Sequence, residues 1–208
     1  MRLFAIYATS IACGFCLMAL EILGARFLYP SFGSSIDVWA AIITVFILSL
    51  SIGYVIGGRI ADKSSDNKAL AWIILGAGAL YLTLPTYALS ASEGLGSSSL
   101  GGLRFGVLVA GLVLFLLPSL LLGMVSPILV KLAFISAERV GTTTGTLYAV
   151  GSVGNVLGIL VTDYILLEHV ALNSNLLWMG CVLAITGLLN LAMRLSAHAQ
   201  PAPAAQGA

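Results

Sequence analysis

The chain has 208 residues, of which 60% are apolar and only 8% charged, with a formal net charge of +1. Soluble domains carry about 25% charged residues, and a mean hydropathy of +1.08 places most of this chain in a lipid bilayer. The near-neutral balance, without a basic cluster, excludes a nucleic-acid binder.

A crossing helix needs about 20 apolar residues, and the first such run covers residues 3–25. Arg2 followed by apolar residues resembles the start of a signal peptide. The run continues to Leu20, however, longer than a typical signal core, so a retained first span is expected. Cys13 and Cys16 form "CGFC" inside this run, and Cys181 lies in the last one. Without a soluble redox domain around them, packing is the expected role; thiol exchange or metal binding is the alternative. Glu21 stands near the end of the run, where an unpaired carboxylate in hydrocarbon is costly.

The second run, 38–60, is bounded by Asp37 and Arg59, and the third covers 69–90. The stretch "SASEGLGSSSLGG", residues 90–102, reads as a flexible connector. The fourth run, 105–133, holds Pro118 and Pro127, so kinks are expected. Within it "GMVSPILVKL" places Gly123 before Pro127, either a moving gate or a fixed kink. The fifth and sixth runs are 144–167 and 175–194. Residues 196–208, rich in Pro and Ala, read as a disordered cytoplasmic tail behind a membrane domain of residues 1–195. His169 and His198 stand apart from any ligand set, so neither metal nor cofactor is expected.

Orientation follows from the basic residues. With six spans, Arg2, Arg59, Lys63, Lys68, Lys131, Arg139 and Arg194 share one side, against Arg26 and Arg104 on the other. Both termini are therefore expected in the cytoplasm. Glu21, Asp37, Glu93, Asp163 and Glu168 fall toward the outer side; Asp62, Asp66 and Glu138 fall inside. An acidic outer half either favours cations or is a by-product of positive-inside insertion.

A repeat lies within this pattern. "SIGYVIGGRIAD", residues 51–62, matches "SVGNVLGILVTD", residues 152–163, at Ser51/Ser152, Gly53/Gly154, Val55/Val156, Gly57/Gly158 and Asp62/Asp163. "LAW" at 70–72 is similar to "LLW" at 176–178, whereas the first and fourth runs show no convincing match. Three spans per copy force the copies to cross in opposite directions. The expected fold is thus an all-α, six-span bundle of two inverted three-helix repeats, about 1–92 and 103–195. Recurrent Gly-x-x-x-Gly packing alone is the alternative.

"GYVIGGRIADK", residues 53–63, resembles the loop signature of major facilitator transporters, with Asp62 and Lys63 at its acid–base positions. Gly53, Gly57, Gly58, Arg59, Asp62 and Lys63, with Gly123 and Pro127, form a candidate gate or inner-face brace. More widely, "ALEILGARFLYPSFGSSIDVWAAII", "LLLGMVSPILVKL" and "GTTTGTLYAVGSVGNVLGILVTDYILL" resemble the integral-membrane domain of bacterial fused major-facilitator/spermidine synthase proteins. That resemblance spans about residues 10–195 and implies half a major-facilitator fold in the bacterial cytoplasmic membrane. It also implies a polyamine as ligand, a homodimer, and a separate synthase-like cytosolic partner. The sequence stops at Ala208 without a glycine-rich adenosyl-binding turn or an aspartate cluster, so aminopropyl transfer is not expected of it.

Glu21 lies about 27 Å along the first helix and Asp163 about 28 Å along the fifth, at similar depth. They are candidates to line an outward cavity for a cation or proton; Arg26 or Arg104 pairing with Glu21 is the alternative. Trp39, Tyr54 and Tyr148 would add aromatic faces for an amine, or serve as interface anchors. Asn155 would add a polar contact or an interhelical hydrogen bond. Two functions follow: a binder or transporter of a small cationic metabolite, or a membrane scaffold that docks a synthase-like enzyme through Arg59, Lys63 or Arg139.

Overall fold

The computed structural model describes residues 2–63, 67–96, 102–134 and 139–193. Asp66, Glu138, Arg194 and the expected tail 196–208 lie outside them.

The chain is all-helical, and six of its helices are long and apolar enough to cross a membrane. They are α1 (Arg2–Phe32), α2 (Ile36–Lys63), α3 (Lys68–Gly96), α4 (Leu103–Ala133), α5 (Val140–Val161) and α7 (Leu172–Met193). Between α5 and α7 the fifth span continues through a π turn, Thr162–Leu166, into a single turn α6 (Leu167–His169). At 31 residues, α1 is about 46 Å long, more than a hydrocarbon core of about 30 Å. It runs past residue 25, its expected limit, because Pro30 near its C-terminus does not stop it. Gly33 does: with φ +77° it takes the left-handed conformation that closes helices, and its N–H bonds Tyr29 O at 2.8 Å. α4 runs unbroken through Pro118 and Pro127.

The main pairings are α1 with α5, α2 with α4, and α3 with α7; α1 also touches α3, α4 and α7. Between helices in lipid there is no hydrophobic drive, so close backbone approach carries the packing. Gly53 and Gly57 supply it for α2: a Cβ at either would lie 2.5 Å from the carbonyl oxygen of Leu120 or Met124 on α4. Gly154 and Gly158 supply it for α5 against the carbonyl oxygens of Ile11 and Phe15 on α1. Gly58, expected to act like Gly57, faces open space instead, because it is one residue (about 100°) further around the helix. Gly123 packs against Leu50, a close-contact role rather than a loosening one.

Buried polar groups tie the ends together. The Tyr81 hydroxyl donates to Cys16 O at 2.8 Å. Asn190 Nδ2 donates to Thr9 Oγ1 and to Thr186 O, each at 2.9 Å, while Asn67 donates to Asn190 O. Arg2 donates to Leu132 O at 2.6 Å, satisfying a carbonyl at the C-terminus of α4. Cys13 and Cys16 are free and buried in this core, whereas Cys181 is exposed. Trp72 and Trp178 stand on the outer surface, 64% exposed.

Gly57→Ala and Gly154→Ala are each expected to cost about 1–3 kcal/mol through overpacking. Gly58→Ala should stay within about 0.5 kcal/mol of the parent. Unfolding in mixed micelles, followed by circular dichroism, separates the two classes.

Candidate functional site

The α1–α5 and α2–α4 pairings draw α2 and α5 to opposite sides, and those two helices make no extended contact. Between the four lies a cavity of about 180 Å³. α1 contributes Ser10, Cys13, Gly14 and Leu17, and α2 contributes Leu50 and Tyr54. α4 adds Ser126, and α5 adds Tyr148, Ser152 and Asn155. A Cβ at Gly14 would lie 2.7 Å from Asn155 Oδ1, so only glycine there leaves room for the amide.

A second cleft, of about 380 Å³, lies toward the end of the bundle where α2 and α4 finish. Gly58, Asp62, Pro127, Lys131 and Tyr148 line it, so Tyr148 borders both spaces. The open side of Gly58 therefore borders a cleft rather than a helix contact, and the ring of Pro127 borders the same cleft while packing against Gly57.

Three of the six sequence-derived binding candidates, Tyr54, Tyr148 and Asn155, meet in the first cavity. Trp39 is half-buried at the start of α2, away from it. Glu21 and Asp163 line neither space. Asp163 lies in the π turn and faces Arg26, at 3.9 Å. Arg26 also stands 5.8 Å over the Tyr29 ring. Arg104 faces Asp37 at 3.2 Å. Both cations weighed as partners of Glu21 are thus paired elsewhere, and Glu21 has no ion pair among the described residues. Of the inner-face candidates, Gly53, Gly57 and Gly123 serve packing, while Arg59 and Lys63 are exposed.

Ser10, Ser126 and Lys131 were not singled out by sequence. Ser152 was visible only as the match to Ser51 between two similar sequence segments. Hydroxyls are common in membrane helices, and nothing local separates one that lines a cavity from one that bonds its own backbone.

No protein-family model, curated protein or solved structure matches this chain.

Asp163→Asn removes an ion pair whose side chains are about half exposed, so its expected stability cost is under about 1 kcal/mol. Thermal unfolding in detergent checks this. A maleimide should label Cys181 in the folded protein, and Cys13 and Cys16 only after unfolding; mass spectrometry distinguishes the sites.

Proposed function

We propose that this protein binds, and carries across the membrane, a small amine held in the α1/α2/α4/α5 cavity. The observation that carries the reading is the lining itself: two tyrosine rings, one amide and three serine hydroxyls, with no charged side chain. Aromatic faces and oxygen acceptors suit an ammonium group. Tyr148 joins this cavity to the cleft that holds Asp62. Tyr54 and Asp62 are eight residues apart on α2, about 12 Å along the axis. A linear amine with charges at both ends fits that pair of sites, which agrees with the polyamine implied by the sequence resemblance.

The transport part of the reading draws on two inverted three-helix repeats, half a major-facilitator arrangement. Its support is a constant register. Gly53 and Gly57 of α2 correspond to Gly154 and Gly158 of α5, an offset of 101, and the residues they press on correspond as well. Leu120 and Met124 of α4 stand 109 positions after Ile11 and Phe15 of α1. The same offsets relate Gly123 against Leu50 to Gly14 against Gly151. Inverted repeats of this kind place binding near the midplane and allow alternating access. In this reading both termini lie in the cytoplasm of a bacterial cell, which the excess of basic residues at that end of the bundle supports.

A second reading, a scaffold for a synthase-like cytosolic enzyme, has one observation in its favour. Arg59, Lys63 and Arg139 are exposed at one end of the bundle, and none forms an ion pair among the described residues.

The test is ligand-induced thermal stabilisation with putrescine, spermidine and spermine, and magnesium as the charge control. A ligand at 100 times its Kd stabilises the native state by about 2.7 kcal/mol. The expected result is a saturable shift that is lost in Tyr148→Ala and Asn155→Leu and unchanged in Glu21→Gln. Asp62→Asn should weaken spermidine and spermine more than putrescine. No shift beyond magnesium defeats the amine reading. Co-purification of a cytosolic protein lost in Arg59→Ala/Arg139→Ala would then favour the scaffold.

A further inference from the structure

We propose that Glu21, Ser119 and Thr162 form a second ammonium site, beyond the cavity on the side opposite Asp62, through which the amine passes when the bundle opens at that end. The inference rests on the amine reading above and adds the far half of its route.

Its first basis is a pair of hydroxyls. Buried hydroxyls on membrane helices commonly bond their own backbone, as Ser49 does to Val45 O at 2.6 Å and Thr186 to Val182 O at 2.8 Å. Ser119 and Thr162 do not. Both are fully buried, and neither hydroxyl has a hydrogen-bond partner among the described residues. Thr162 also opens the π turn, where its own N–H is shared between Gly158 O and Ile159 O. A hydroxyl without water or partner is costly, so a donor from outside the chain gains by reaching these two oxygens.

Helix phase carries both hydroxyls, and Glu21, onto the faces that line the cavity. On α1, Ser10, Gly14, Leu17 and Glu21 follow at four-, three- and four-residue spacing, and the first three line the cavity. On α4, Ser119 precedes the lining residues Leu122, Ser126 and Leu129 on one face. On α5, Thr162 follows Asn155 after two turns.

Helix contacts set the depth. Gly154 against Ile11 and Gly158 against Phe15 hold α5 beside α1 at a constant offset of 143, which brings Thr162 level with Ala19. α4 runs the opposite way, since Arg2 bonds Leu132 O and Gly24 meets the Phe115 ring. Ser119, one turn from Phe115, comes close to the level of Leu20. Glu21, Ser119 and Thr162 therefore share one depth to within about a helix turn, roughly 10 Å beyond Gly14 and Asn155. Leu17 and Leu122 stand between them and the cavity, an apolar layer that separates the two sites.

The chemistry matches an ammonium group. A carboxylate and two hydroxyl oxygens face three N–H donors. The cations at that end are engaged elsewhere, Arg26 with Asp163 and Arg104 with Asp37, and Glu21, half-buried, has no ion pair among the described residues. One carboxylate thus stands on each side of an uncharged cavity, Asp62 in the open cleft and Glu21 in the closed cluster. Carboxylates placed along a membrane bundle in this way mark the path of a cation.

The experiment uses the full chain in liposomes loaded with putrescine and follows exchange of labelled putrescine; thermal stabilisation by putrescine is read on the same proteins in detergent. The expected result for Glu21→Gln is an apparent Kd within twofold of the parent and exchange at least tenfold slower. Thr162→Val and Ser119→Ala should each slow exchange at least threefold. Both remove an unpaired buried hydroxyl at little change in volume, so their ligand-free Tm should equal or exceed that of the parent, which separates lost exchange from lost fold. Asp163→Asn should exchange within twofold of the parent. Exchange within twofold of the parent in Glu21→Gln and Thr162→Val, with stabilisation intact, would overturn the second site and leave the cavity reading standing. Loss of stabilisation together with exchange in Glu21→Gln would also overturn it, by making Glu21 part of a single site. A parent that is stabilised but does not exchange refutes the route alone. A parent that does neither refutes the amine reading and the second site with it.

Discussion

Backbone-to-backbone contact at four glycines governs this bundle. Gly53 and Gly57 seat α2 on α4, and Gly154 and Gly158 seat α5 on α1. In lipid, apolar side chains gain little by leaving hydrocarbon for a protein surface, so association depends on dispersion and polar contacts at short range. Glycine permits the shortest range. Each of these four faces a carbonyl oxygen of its neighbour, which also allows weak Cα–H···O contacts. Once α2 is held by α4 and α5 by α1, the two cannot meet, and the cavity is the space left between them.

The polar groups of the protein divide along that line. One set is satisfied within the chain and acts as internal fastening: Tyr81 on Cys16 O, Asn190 on Thr9 and Thr186, and Arg2 on the end of α4. These bonds involve α1, α3, α4 and α7. The other set gathers on the cleft side of α1, α2, α4 and α5 and has no internal partner among the described residues. Unmatched polar groups in a membrane protein mark places where water, ligand or another chain belongs. Here several of them gather at one cavity, while others, such as Ser119 and Thr162, are buried without a side-chain hydrogen bond elsewhere in the bundle.

The acidic residues need different accounts. Asp163 sits in a π turn, a local irregularity often found at functional positions, and faces Arg26. Asp62, at the matching position of the similar α2 segment, is exposed and lines the open cleft with Lys131. Two similar sequence segments thus present a paired carboxylate at one end of the bundle and an unpaired one at the other. Glu21, the most conspicuous charge in the sequence, lines neither cavity and lacks an ion pair among the described residues. The structure offers no partner that accounts for it.

Sequence alone determined the membrane class, the six spans and the helical content, because each follows from local hydrophobicity and length. It also exposed the α2/α5 similarity, since Ser, Gly and Asp recur there at one fixed offset. It showed no match between α1 and α4: the positions that meet the glycines, such as Ile11 and Leu120, are interchangeable apolar residues that supply backbone, and backbone leaves no signature in side-chain identity. It overextended the glycine argument to Gly58, because helix phase relative to a neighbour is not written in a motif. Only the tertiary structure decided which polar residues meet. Depth along a helix was readable from sequence and placed Glu21 level with Asp163. Direction around the helix axis depends on where the neighbouring helices pack, and that direction gathered Ser10, Tyr54, Ser126, Tyr148, Ser152 and Asn155 around one cavity while leaving Glu21 outside it.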